Sequence, residues 1–286
     1  MARLDFVNAR VRARRSRLLG ASGLRELLWR ASPEERLTLL RQSIHAEAAQ
    51  RPDVASALTR SVIVERRRIE EHIEGRRPRA LWRALGRLDD AEALKTILRG
   101  LARGQPASVI VALAQSTAEL PDEEIVELAN QTGADALVEV LRRRESRFAS
   151  PLAAALPAWR RDNQLGHLDA AIDGAARKEV LSAAQAHDED SVVLRRVIER
   201  QADALERANA AKLEGGEAAP WVFDRALERE QLSALRREAR ARPLSLAVPL
   251  LFLGELRAEV RLLRLILLTG ELGPPADEML TLLEPA

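Results

Sequence analysis

The sequence contains no cysteine and no tyrosine, and only four phenylalanines and four tryptophans among its 286 residues. Without cysteine there is no disulfide framework, no thiolate metal site and no cysteine nucleophile. Lysine is nearly absent too. Lys95, Lys178 and Lys212 are the only three, so 42 of the 45 basic residues are arginines. Arginine keeps its charge to very high pH, which lifts the sequence pI to about 9.6 while the formal net charge is only +2. The high pI therefore says little about nucleic-acid binding.

Long apolar runs are missing as well. The main uncharged stretch, Pro243 to Gly254, has 12 residues, against about 20 for a membrane-spanning helix. No apolar segment follows the first residues, so no secretory signal is expected. Phosphate chemistry leaves no trace. No glycine precedes Lys-Ser or Lys-Thr, and Gly-x-Gly does not occur, so the sequence has neither a Walker-type loop nor a dinucleotide fingerprint. The histidines are His45, His72, His167 and His187. The positions three residues before them are Gln42, Ile69, Gln164 and Ala184, so the Glu-x-x-His di-metal pattern is absent. Asp89-Asp90 and Asp188-Glu189-Asp190 invite comparison with helical isoprenoid enzymes. However, Ala93 stands at the fifth position of the first candidate, and acids also gather at helix N-termini for dipole and capping reasons. No catalytic, cofactor-binding or metal-ligating residue is assigned.

What the chain has is helix chemistry. Hydrophobic residues make up 47% and charged residues 31%, and alanine, leucine, arginine and glutamate dominate. No stretch alternates apolar and polar residues as a half-buried strand would, so the fold class expected is all-α. Ser32-Pro33-Glu34-Glu35 spells a capping box with proline at the first helical position, ahead of an apolar face of Leu37, Leu40 and Ile44. Leu58, Val62, Ile69 and Ile73 lie on one face of a second helix, which Gly75 and Pro78 end. Leu120-Pro121-Asp122-Glu123-Glu124 reads as another helix start, and Gly133 as the break between two short helices. Gly215 to Pro220 is the clearest loop. A final long helix is expected from near Pro249 to about Gly270, mostly buried from Val260 to Leu268, before Pro274-Pro275 breaks it.

A repeated pattern runs through the chain. Asp90, Leu94, Lys95, Ile97, Leu98, Arg99 and Gly100 recur in outline at Asp190, Leu194, Arg195, Val197 and Ile198. They recur again at Glu259, Leu263, Arg264 and Ile266, and weakly at Asn8 to Arg14. Each copy reads as a helix opening on an acid or amide. The spacings, 100 and 69 residues, do not suit the regular ladder of an α-solenoid adaptor for protein or RNA, which is the alternative reading. The N-terminal arginines Arg3, Arg10, Arg12, Arg14, Arg15 and Arg17 face one Asp5. They could form a patch for lipid, acidic protein or nucleic acid. The simpler reading is a helix face paired with glutamates elsewhere in the fold.

Several segments, in order, resemble the C-type (or d-type) rotor family of V/A-type (vacuolar/archaeal-type) ATPases. Phe6-Val7-Asn8-Ala9-Arg10-Val11-Arg12-Ala13 is similar to its opening. Asp90 to Gly104 resembles its Asp-x-x-Asn-Leu-Lys-x-Ile-Leu-Arg-Gly-Lys-x-x-Gly segment, and Pro121-Asp122-Glu123-Glu124-Ile125 its continuation. Phe223-Asp224-Arg225-Ala226-Leu227 and Glu259 to Ile266 resemble its ending. Phe6 stands for the usual tyrosine, Ala93 for asparagine, and Leu101 and Glu271 for lysines. The resemblance implies a funnel-like all-α body of three similar helical units in pseudo-threefold arrangement, here about 1-78, 79-180 and 181-286. It implies a non-catalytic rotor subunit without cofactor. Such a protein would sit between the central shaft subunits and the membrane rotor ring, peripheral to the membrane on its cytoplasmic face. No nucleic-acid partner is implied.

Overall fold

The computed structural model describes residues 4–30, 32–114, 117, 120–185, 188–200 and 220–272; side chains are described for these except at 112, 220–228 and 268–272. Every regular element among the described residues is helical, as the composition implies. The Gly215–Pro220 loop, the Pro274-Pro275 break and the helix expected after it lie outside the described residues, apart from Pro220, the first residue of α12.

The helices are α1 Asp5–Arg15, α2 Gly20–Trp29, α3 Pro33–Arg41, α4 Val54–His72, α5 Arg76–Ala102, α6 Ala107–Leu113 and α7 Asp122–Ala129. They continue with α8 Ala134–Arg143, α9 Ala149–Asp162, α10 Gly166–Ala183, α11 over 189–200, α12 Pro220–Ala241 and α13 Ala247–Leu272. Their ends follow local chemistry. The Ser32 hydroxyl accepts from Glu35 N–H at 3.2 Å and the Glu35 carboxylate accepts from Ser32 N–H, which completes the capping box with Pro33 at the first turn. Asp53 caps α4 through Ser56 N–H at 3.1 Å, and Asp188 accepts from both Ser191 N–H (2.9 Å) and its hydroxyl (2.8 Å) at the start of α11. Asp122, Glu123 and Glu124 occupy the first turn of α7, where the helix dipole is positive. Gly133 separates α7 from α8 at φ +156.

The chain divides into two compact units. One comprises Met1–Pro78 together with Val192–Ala286, and the other Arg79–Ser191. In the first, α13 is the spine, and α12, α4, α1 and α2 all pack on it. Its apolar opening is core rather than membrane: Leu246, Ala247, Val248, Leu251, Phe252 and Leu253 are buried. Further along, Val260, Leu262, Leu263 and Ile266 are buried while Arg261 is exposed. The α4 face reads as expected, with Leu58, Val62, Ile69 and Ile73 all buried. The second unit has one continuous core, from Leu94, Ile97 and Leu98 of α5 through Ile110, Ile125, Leu137 and Leu141 to Leu152, Leu168 and Ile172.

One expectation is corrected. The copies at 90 and 259 do not open helices. Asp90 lies deep within the 27-residue α5 and Glu259 within the 26-residue α13. Upstream of Asp90 the apolar face already runs through Leu81, Trp82, Ala84 and Leu85, all buried, so nothing interrupts the helix there. Only the copies at 8 and 190 stand near helix starts.

Leu263 is fully buried on the spine. Leu263→Ala should cost about 2–5 kcal/mol, the range for truncating a buried leucine. Thermal unfolding followed by circular dichroism will measure it, and an unchanged midpoint would contradict this packing.

Candidate functional site: motif residues that tie the helical body

The segments that carry the family resemblance turn inward. In α1, Val7 and Val11 are buried and Asn8 is fully enclosed. The Asn8 amide donates to the carbonyls of Pro243 and Ser245, each at 3.3 Å, and Arg12 donates to the Pro243 carbonyl at 2.7 Å. The α12–α13 turn is thus pinned to the first helix, more than 230 residues away in sequence. Arg15 forms a bidentate pair with Glu255 of α13, and Arg236 of α12 joins the same carboxylate at 3.3 Å. The hydrogen bonds from Arg15 to Glu255 favour the charged guanidinium and raise its pKa above the ordinary arginine value.

One turn further along α13, the buried Glu259 carboxylate accepts three donors: Leu19 N–H (3.1 Å), Gly20 N–H (2.9 Å) and His45 Nε2 (2.8 Å). Arg14 pairs bidentately with the buried Glu65, Arg17 donates to the Ser43 carbonyl at 3.2 Å, and Arg10 donates to His72 Nε2 at 3.0 Å. His72 Nδ1–H then faces the Arg68 carbonyl at 2.6 Å, which fixes the neutral tautomer. Each arginine from Arg10 to Arg17 therefore has an internal partner, in agreement with the simpler reading; Arg3 lies outside the described residues.

The middle segment is explained residue by residue. On α5, Arg87, Lys95 and Arg99 reach Glu179, Asp173 and Asp169 of α10 at 3.2, 3.0 and 2.7 Å. The reversed order makes the two helices antiparallel, with cations on one and acids on the other. Burial works against the Lys95 charge, but Glu92 and Asp173 outweigh it and hold its pKa above the ordinary lysine value. Asp90 is buried and accepts from the Thr117 hydroxyl and from Arg87. Thr117 in turn holds Leu120, its hydroxyl accepting from Leu120 N–H and its own N–H donating to the Leu120 carbonyl, both at 2.9 Å. The acid that reads as a helix-start residue orders the connection between α6 and α7 instead.

The two glycines of this segment do different work. Gly104 adopts φ +63, and Gln105 N–H to the Gly100 carbonyl (3.0 Å) with Gly104 N–H to the Leu101 carbonyl (3.0 Å) closes α5 as a Schellman end. Gly100 lies under the buried Ile110 of α6: a Cβ there would meet Ile110 Cγ1 at 2.5 Å.

Outside these ties nothing gathers into reaction chemistry. No group of three or more histidines, aspartates or glutamates among the described residues could hold a metal ion. His45 is buried against Glu259, His72 lies against Arg10, and His167 pairs with Asp162 at 2.8 Å; His187 lies outside the described residues. Sequence reasoning does not find His45 and Glu259 as partners, because 214 residues separate them.

The geometry defines an all-helical protein whose motif residues hold helices to one another. Within that class, the family model for the ATP synthase (C/AC39) subunit matches residues 7–216 of this chain, and the chain belongs to that family. The resemblance to the C-type (or d-type) rotor family of V/A-type ATPases is thereby borne out. No curated protein matches the chain.

Two substitutions test these ties. Gly100→Ala should destabilise by about 1–3 kcal/mol, since the new methyl group overpacks Ile110; chemical denaturation will show it. Asp90 titrates above the ordinary carboxylate value because burial disfavours its charged form. Between the unfolded and folded values the folded state binds more proton, so this group's contribution to stability falls as pH rises through that window. Melting curves should therefore show wild type gaining on Asp90→Asn as pH drops from neutrality towards the ordinary aspartate range. A pH-independent difference would contradict the burial.

Proposed function

We propose that this chain is the non-catalytic coupling subunit of a V/A-type rotary ATPase rotor, joining the central shaft subunits to the membrane rotor ring during ATP-linked proton or sodium transport. The family match over residues 7–216 carries this reading. Two features of the structure support it. No helix among the described residues is long and apolar enough to cross a membrane, which suits a part peripheral to the bilayer on its cytoplasmic face. The motif residues are committed to rigid internal ties, which suits a part that transmits torque, because dense helical packing resists deformation.

In this reading the chain forms a funnel-like body of three similar units, about 1-78, 79-180 and 181-286, with one open end on the shaft and the other on the ring. It requires no cofactor, metal or active site, and nucleic acid is not a partner. ATP would be hydrolysed elsewhere in the machine, and this chain would pass on the motion.

Removing the chain from its host complex should leave ATP hydrolysis by the detached head while abolishing ATP-driven ion transport. Measuring both in membrane vesicles from a deletion strain tests this. Calorimetry on the purified chain should show no micromolar ATP binding. Retained transport in the deletion strain would overturn the proposal.

A further inference from the structure

The internal ties leave one part of the first unit unbalanced. From Gln231 to Leu246, across the end of α12 and the turn into α13, the sequence holds four arginines, Arg236, Arg237, Arg240 and Arg242, and one acid, Glu238. That acid is buried and already shared by Arg242 and Arg196, and Arg236 is taken by Glu255. Arg237 and Arg240 are exposed, and neither has a carboxylate partner among the described residues. They lie three residues apart on α12, on one side of the helix. Arg12 joins them: it is exposed, and its guanidinium is anchored on the neutral Pro243 carbonyl. Beside Pro243, Leu244 stands 56% exposed, although its neighbours Ser245, Leu246 and Ala247 are buried.

We infer that this turn is a docking surface for an acidic protein face, on which clustered carboxylates meet Arg12, Arg237 and Arg240 and an apolar recess receives Leu244. The inference rests on the proposed coupling role in one respect: the partner is taken to be a neighbouring rotor subunit. The charge complement follows from the pairing above. Wherever an acid lies near an arginine of this unit it is consumed internally, so the cations left over must be satisfied by water or by a partner. Arginine suits the second role. Its planar fork binds carboxylate in two places and is more weakly hydrated than an ammonium. Three guanidiniums around one leucine resemble the arginine and apolar anchors that dominate protein interfaces more than the four to eight basic residues of a lipid-binding cluster.

The test replaces the resident protein in its host with a tagged chain and quantifies the shaft and ring subunits isolated with it. R237E/R240E should recover about ten-fold less of one of these partners than wild type, and added salt should deepen the loss. L244A, which leaves the charge unchanged, should also lower recovery. Both variants should melt like wild type, because the altered side chains are exposed. A matched control, R25E/R143E, reverses two exposed arginines elsewhere and should recover partners normally.

Equal losses in the control would point to net charge and overturn the inference. Full recovery by R237E/R240E while wild type binds its partners would overturn the surface and leave the coupling role standing. If tagged wild type recovers neither shaft nor ring subunits, the coupling role falls, and this inference with it. Co-sedimentation with protein-free vesicles of phosphatidylcholine and phosphatidylglycerol in equal parts, present in wild type and lost in R237E/R240E, would assign the surface to lipid and overturn the protein partner.

Discussion

Glu259 is the carboxylate on which the first unit turns. An ionised carboxyl group taken out of water is costly unless it is fully hydrogen-bonded, and this one is buried in the middle of the longest apolar helix of its unit. Its three donors come from the α1–α2 junction and from the turn after α3. α13 can therefore occupy only the position at which those donors converge. Glu255, one turn earlier, adds Arg15 and Arg236, and Asn8 with Arg12 fixes the turn just before the helix. The last long helix is locked to the first, which makes the two ends of the chain parts of one cooperative body. Losing a donor at Glu259 would leave a buried group unsatisfied, at about 1–3 kcal/mol.

The same logic governs the use of arginine. The four acids buried in the described structure, Glu65, Asp90, Glu238 and Glu259, each have a basic side chain within reach. Exposed ion pairs contribute little, about 0–1 kcal/mol each, so the many surface pairs are weak evidence for stability. The value of the buried ones is geometric. A bidentate fork fixes the angle between two helices in a way that an apolar contact does not. The α5–α10 pair shows this: three cations meet three acids in reverse order, a register that a one-turn slip would break at every position.

What the sequence reveals and what it hides divide along range. The capping box at Ser32, the acids at Asp122 to Glu124, the Gly133 break and the apolar face of Leu58, Val62, Ile69 and Ile73 depend on neighbours within a few turns, and each reads correctly from local rules. Asp90 misleads for the same reason: an acid next to an acid suggests a helix start locally, whereas its partner Thr117 is 27 residues away. Asn8 and Pro243, or His45 and Glu259, are separated by more than 200 residues, and no periodicity points from one to the other. Gly100 carries no visible signal beyond its place in the family pattern, because its constraint is the Ile110 side chain laid over it from α6.

This division bears on function. The residues that reveal the family are those that close the helices on one another: Asn8, Arg12, Asp90, Lys95, Arg99, Gly100, Gly104 and Glu259. They explain why the chain folds as it does. They do not identify the partner surfaces, because side chains spent on internal bonds are not offered outward. For a part that must carry torque this is a physical requirement. Stiffness comes from polar ties that cannot slide and from helices as close as Gly100 allows, while partner contacts must come from groups left over after those ties are made. In an arginine-rich chain such groups stand out as cations with no acid beside them, and the turn between α12 and α13 presents them next to an uncovered leucine.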